Sequence, residues 1–123
     1  MRAHEPSGVH LLADLHGVDA RRLVSCEALD ALLREAALAA GATILHSHLH
    51  SFGPQQGVTG VLLLAESHIS IHTWPEARFA ALDIFMCGAA AQSLSLALNV
   101  ITAALAPART DVHTSARGAA SPL

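Results

Sequence analysis

Between Leu62 and Glu76 the chain reads LLLAESHISIHTWPE, and its polar residues are of types that do chemistry. A carboxylate (Glu66), hydroxyls (Ser67, Ser70, Thr73) and two imidazoles (His68, His72) interrupt an otherwise apolar run. If the stretch is an unbroken strand, His68, Ser70 and His72 share one face, while Ser67, Ile69, Ile71 and Thr73 share the other. The plain reading is a half-buried strand with its polar side to water. Ser67 fits that reading poorly, because it falls on the apolar side directly after an acid.

A serine beside histidine and acid suggests acyl hydrolysis. Ser67 is not in a Gly-x-Ser-x-Gly elbow, however, and no strand-to-helix turn follows it. Another chemistry suits the position. If the backbone is strained at Glu66–Ser67, the serine hydroxyl can attack the preceding carbonyl and convert the amide into an ester. β-Elimination of that ester leaves dehydroalanine, which loses ammonia to give a pyruvoyl group at a new N-terminus. Such a carbonyl forms an imine with a substrate amine and draws electrons when carbon dioxide leaves.

His46, His48 and His50 recur at every second residue and project from one face of a regular strand. Three imidazoles can bind zinc, copper or iron, but no carboxylate or thiolate nearby completes a set. Solvent-facing or interface histidines are the plainer assignment. The two cysteines, Cys26 and Cys87, match no paired zinc spacing, and in a reducing compartment a structural disulfide is not expected. Each is a lone thiol.

The elements that must carry these residues follow from periodicity. GVHLLADLHG (8–17) reads as a first strand. Ser25 caps a helix reaching about Ala40, with Leu29, Leu32, Leu33 and Ala36 on one face and Gly41 ending it. Strands follow over 42–52, from Val58 to about Ala65, through HISIHTW (68–74) and through RFAALDIFMCG (78–88), with 53–57 as a turn. Pro75 ends the pairing of the fourth strand or puts it at an edge. A second helix is expected over 90–105, where Leu94, Leu98, Ile101 and Leu105 repeat at helical spacing. The tail offers one short strand near 111–115 and then frays. Short connections favour antiparallel neighbours, and hence an α+β fold, a two-layer sandwich of one mainly antiparallel sheet with helices packed on one face.

With 123 residues the chain makes a single domain, 1–123. Hydrophobic residues are 52% and charged residues 14%, so part of the apolar surface is expected to lie against another subunit. Net charge is −3 with seven Lys+Arg, which argues against a nucleic-acid partner. MRAHEPSG at the start has no signal-peptide core and no apolar run approaches a membrane span, so a cytoplasmic protein with no membrane partner is expected. Nine histidines make any site pH-sensitive.

ESHISIHTWPE followed by FAALDIFMCG resembles the processing and active-site segment of the bacterial and archaeal S-adenosylmethionine decarboxylase proenzymes. GVHLLADL, GATILHSHLHSF and GVTGVLLLAESH also match that family's pattern, so the resemblance runs from near the start to about Gly88. It implies cleavage between Glu66 and Ser67, giving a β chain (1–66) and an α chain (67–123). It further implies a covalent pyruvoyl cofactor derived from Ser67, and decarboxylation of S-adenosylmethionine to supply aminopropyl groups for polyamine synthesis.

Residue by residue, the resemblance makes His72 the group that takes the proton during elimination and Cys87 the acid that protonates the substrate carbon. Thr59 stands where the family commonly has a processing serine. Phe52 matches an aromatic position used around the nucleoside, and Trp74 and Glu76 fall near the site or the subunit interface. Members of this size pair as homodimers of processed protomers. GPQQG (53–57) departs from the shorter LPYG form of several relatives, so the same machinery acting on ornithine or arginine is the alternative substrate reading. The alternative of another class is a His-rich metal-binding or structural dimer that never cleaves itself.

Overall fold

Alternation of apolar and polar residues sends one side of each strand into a core and leaves the other side facing out, and this organises the whole molecule. The computed structural model describes residues 6–118. Six strands form one antiparallel sheet: β1 (Ser7–His16), β2 (Ile44–Ser51), β3 (Val58–Leu64), β4 (Ser67–Trp74), β5 (Phe79–Cys87) and β6 (Arg109–Gly118). Their order across the sheet is β2-β3-β4-β5-β1-β6. Two helices, α1 (Cys26–Ala39) and α2 (Leu94–Leu105), cover one face. The expected two-layer α+β sandwich is the observed one.

The core lies between that face and the helices. Leu11, Ala13 and Leu15 of β1, Leu62 and Leu64 of β3, Ile69 and Ile71 of β4, and Leu82, Ile84 and Met86 of β5 are all buried in it. From α1 come Leu29, Leu33 and Ala36, and from α2 Ala97 and Ile101. Each fully buried Leu or Ile contributes about 1.5–3 kcal/mol relative to exposure. The Ser25 hydroxyl accepts from the Ala28 N–H at 3.1 Å and starts α1, as its side chain suggests. Arg34 bonds Asp30 one turn back and donates to Ser47 at 2.8 Å, tying α1 to β2. Thr73 is the one buried polar side chain in this core among the described residues; its hydroxyl accepts from Val58 N–H at 2.8 Å and donates to the Leu23 carbonyl at 2.7 Å.

Three expectations change. The segment before α2 is a 3-10 turn over Gly88–Ser93, so the α-helix starts at Leu94 rather than near residue 90. GAAAQS supplies no capping side chain there, and the Ser93 side chain makes no cap bond. The last strand is ten residues rather than a short piece near 111–115, because it pairs with β1 along its full length, from Ser7↔Gly118 to His16↔Arg109. Gly88–Leu105 has a mean hydropathy of 1.4 over 18 residues, long and apolar enough by those measures to cross a membrane, contrary to the reading that no run approaches such a span. Here Leu94, Ala97, Ile101 and Leu105 of that segment pack into the core. Fraying beyond 118, and most of the N-terminal MRAHEPSG stretch, lie outside the described residues.

Among the described residues no helix covers the other face of the sheet. Every histidine among the described residues projects from it: His10 and His16 on β1, His46, His48 and His50 on β2, His68 and His72 on β4, and His113 on β6. Leu12, Leu63 and Trp74 on the same face are 40–45% exposed. Pro75 does not push β4 to an edge: the strand ends at Trp74, between β3 and β5.

Candidate active site

A two-residue connection, Ala65–Glu66, joins β3 to β4. A turn this tight forces unusual backbone angles, and Glu66 takes φ +59°. A non-glycine residue held there stores roughly 1–3 kcal/mol of strain. Ser67 is the next residue, half-buried at the start of β4, and its hydroxyl accepts from the Cys87 N–H at 3.2 Å. The register that pairs His68 with Phe85 brings the start of β4 to the end of β5, where Glu66 and Cys87 line the same cavity.

These residues line a cavity of about 580 Å³ together with Pro6, Ser7, His10, His68, Phe85, Arg117 and Gly118. His68 stacks on Phe85 with centroids 5.9 Å apart, and His10 meets both rings edge-on at 6.4 and 6.2 Å. The His10 Nε2 is buried with no hydrogen-bond partner among the described residues. Burial first, and the Glu66 carboxylate second, push the Cys87 thiol up from its ordinary value; the Ser67 hydroxyl pulls partly the other way. Near neutral pH Cys87 therefore keeps its proton and can donate it.

The remaining residues singled out in the sequence gather elsewhere. Phe52, Gln56, Thr59, His72, Trp74 and Glu76 line a second cavity of about 330 Å³. Thr59 faces His72 across the β3–β4 ladder, with its hydroxyl 3.2 Å from Nδ1. Trp74 bridges His72 and Phe79, at 6.3 and 5.5 Å between centroids. Ser67 and His72 are separated by five residues of extended strand, about 17 Å. One chain thus brings Ser67, Glu66 and Cys87 together, and separately Thr59, His72, Phe52, Trp74 and Glu76, near opposite ends of β4.

His46, His48 and His50 stand opposite Leu63, Val61 and Thr59 on edge strand β2. Among the described residues no group of three His, Cys, Asp or Glu side chains is placed to hold a metal ion. Cys26 opens α1, lines neither cavity, and is half-buried. Sequence reasoning missed His10, Phe85 and Arg117, which reach the Ser67 cavity through the pairing of β1 with β5 and β6. It also missed Gln56 in the second cavity.

A family model described as S-adenosylmethionine decarboxylase matches residues 9–118, the whole sheet and both helices save the start of β1. The chain belongs to that family. Among its S-adenosylmethionine decarboxylase relatives, a proenzyme of Sulfurihydrogenibium sp. (strain YO3AOP1) is 46% identical over 111 residues, covering 90% of this chain and 82% of the relative. An archaeal member, from Methanococcus maripaludis (strain C5 / ATCC BAA-1333), is 48% identical over 81 residues, 66% of each chain. The fold is similar to the crystal structure of the adenosylmethionine decarboxylase from Aquifex aeolicus VF5, with a TM-score of 0.84, 41% identity and 95% of both chains covered.

Proposed function

We propose that this chain is a proenzyme that cleaves itself between Glu66 and Ser67 and then decarboxylates S-adenosylmethionine, in the cytoplasm, for polyamine synthesis. The observation that carries the reading is the Ser67 hydroxyl, held by the Cys87 N–H directly after a residue in the left-handed region. Cutting the chain at Glu66 releases the backbone strain stored there, and the adjacent hydroxyl is the nucleophile that can attack its carbonyl. Family membership supports the same reading.

The residues at this position fit a pyruvoyl group: a serine at a strained junction, in a cavity, with a protonated thiol beside it. Once formed, that group supplies an electron sink for decarboxylation. The chain's own residues do the rest. Cys87, kept protonated by burial and by Glu66, donates the proton that replaces carbon dioxide on the substrate carbon. Phe52 and Trp74 offer exposed aromatic faces for an adenine and a sulfonium, and the Glu76 carboxylate adds a complementary charge.

The active unit in this reading is a homodimer. His72 on β4 and its partner Thr59 on β3 are too far along the sheet to reach Ser67 of their own chain, whereas residues of the face without a helix line both cavities. A two-fold axis parallel to that face and perpendicular to β4, bringing two such faces together, lays the Ser67 end of one protomer on the His72 end of the other. It also covers Leu12, Leu63 and Trp74.

Intact mass of the purified protein tests the cleavage. Fragments corresponding to 1–66 and 67–123 are expected, the second with no free amine at residue 67. Carbon dioxide release from S-adenosylmethionine, against ornithine and arginine offered separately, tests the substrate. A chain that stays whole on prolonged incubation, or that carries metal through desalting, refutes the reading; turnover of ornithine or arginine alone refutes its substrate.

A further inference from the structure

Arginines on a protein surface normally find an acceptor, and among the described residues they do so with one exception. Arg21 pairs with Asp19, Arg34 with Asp30 and Arg109 with Asp111, while Arg22 and Arg78 donate to backbone carbonyls. Arg117 alone among the described arginines has no hydrogen bond or ion pair with another described residue. Among the described residues it is also the only Lys or Arg lining the Ser67 cavity.

Its position is set by two strand ladders. Gly8 pairs with Cys87 on one side and with Arg117 on the other, so Cys87, Gly8 and Arg117 form a row across β5, β1 and β6. Arg117 is therefore about 10 Å from Cys87 between Cα atoms. Gly8 has no side chain to stand between them, and could not carry one: its Cβ would lie 2.7 Å from the Met86 carbonyl oxygen and 2.8 Å from the Phe85 ring. Gly118, at φ +68°, holds the end of β6 against Pro6 so closely that a Cβ there would collide with the Pro6 carbonyl. On the side of Cys87 away from Gly8 lies the β3–β4 turn with Glu66, whose charge the Cys87 thiol feels.

We infer that Arg117 is an electrostatic positioning residue for self-cleavage, supplying the countercharge to the carboxylate that leaves from Glu66. The inference rests on the self-processing reading above. In the first step the Ser67 oxygen bonds to the Glu66 carbonyl carbon, and the C–N bond breaks to leave an ester and a free amine. In the second, a base takes the Ser67 α-proton and the Cβ–Oγ bond breaks, its electron pair leaving on the new Glu66 α-carboxylate. Residue 67, now dehydroalanine, tautomerises and is hydrolysed by water to the ketone and ammonia. The second step creates a negative charge next to the Glu66 side chain, itself acidic, in a partly desolvated cavity. A cation at the edge of that cavity lowers the barrier of this step and does little for the first. The same cation is ill suited to a substrate carboxylate about to depart as carbon dioxide, because pairing would stabilise the ground state.

The test uses the full-length chain, with Arg117→Gln and Arg117→Lys followed by intact mass from the moment of synthesis. Arg117→Gln is expected to slow cleavage by about 10- to 100-fold and to accumulate the ester, which hydroxylamine splits into a Glu66 hydroxamate and a fragment beginning with intact Ser67. Arg117→Lys is expected to keep most of the rate. Cleavage of Arg117→Gln at the wild-type rate overturns the inference, and so does equal slowing in Arg117→Lys, which would make side-chain shape rather than charge responsible. Unchanged cleavage with a raised KM in the processed enzyme also overturns it, by assigning the cation to the substrate. A wild-type chain that never cleaves refutes instead the self-processing reading, and this inference with it.

Discussion

Ser67 and His72 stand at opposite ends of β4, about 17 Å apart, although five residues of sequence make them look like neighbours. In a regular strand neither can reach the other, and the Thr59 hydroxyl, 3.2 Å from the His72 ring, is equally remote from Ser67. If both act in one reaction, they do so from different chains.

That geometry makes complementation the sharpest test of the assembly. Ser67→Ala and His72→Ala are each expected to abolish cleavage alone. Co-expressed in equal amounts, they form mixed dimers in which one of the two sites is intact, so about a quarter of wild-type sites are recovered. Fragments starting at residue 67 that come solely from the His72→Ala chain are the expected product. No recovery on mixing would place the base in the same chain as Ser67.

Cys87 gives a pH signature with a defined sign. Its raised value means that the thiolate forms only above the ordinary cysteine range, so iodoacetamide labelling at neutral pH is expected to be slower than for a free cysteine. Glu66→Gln removes a negative charge that disfavours the thiolate, so the half-labelling pH moves down. The comparison is made on a Ser67→Ala, Cys26→Ala background, where neither chain cleaves and one thiol remains. An unchanged or higher half-labelling pH would contradict the geometry of the Glu66–Cys87 pair.

Trp74 is the only tryptophan in the sequence and lines the second cavity. Its emission therefore reports occupancy there. S-Adenosylmethionine is expected to quench or shift it saturably, whereas ornithine, with no ring to stack, leaves it unchanged. Trp74→Phe is expected to raise KM more than it lowers kcat. Identical emission with and without S-adenosylmethionine would remove Trp74 from the binding site.

Thr73 links the sheet to the segment before α1, through its bonds with Val58 and Leu23. Thr73→Val keeps the volume but leaves a buried N–H and a buried carbonyl without that partner, at a cost of about 2–4 kcal/mol. Thermal unfolding is expected to fall by about 10 °C. Thr73→Ser retains the hydroxyl and is expected to lose about 1 kcal/mol, the share of one buried methyl. Equal losses in the two variants would show that packing, not hydrogen bonding, sets the role of Thr73.

Local periodicity carried most of the fold. Alternation marked β1 through β5 to within about two residues, and Ser25, Gly41 and the Leu29–Ala36 stripe bounded α1, because these signals depend on neighbours a few positions apart. The start of α2 is not legible from sequence because GAAAQS suits either helix type and lacks a cap. β6 was cut short because RTDVHTSARG is mostly exposed and shows little apolar alternation; its length is set by β1, a hundred residues away along the chain.

The candidate site divides in the same way. The residue types at Glu66-Ser67 and the motif around Cys87 pointed to a self-cleaving serine from sequence alone, since the chemistry lies between adjacent residues. The left-handed Glu66, the hold of the Cys87 N–H on Ser67, the arrival of His10, Phe85 and Arg117, and the separation of His72 from Ser67 came only with tertiary structure. Each depends on which strand lies beside which and in what register, and hydrogen bonds between distant strands settle that, not spacing along one of them.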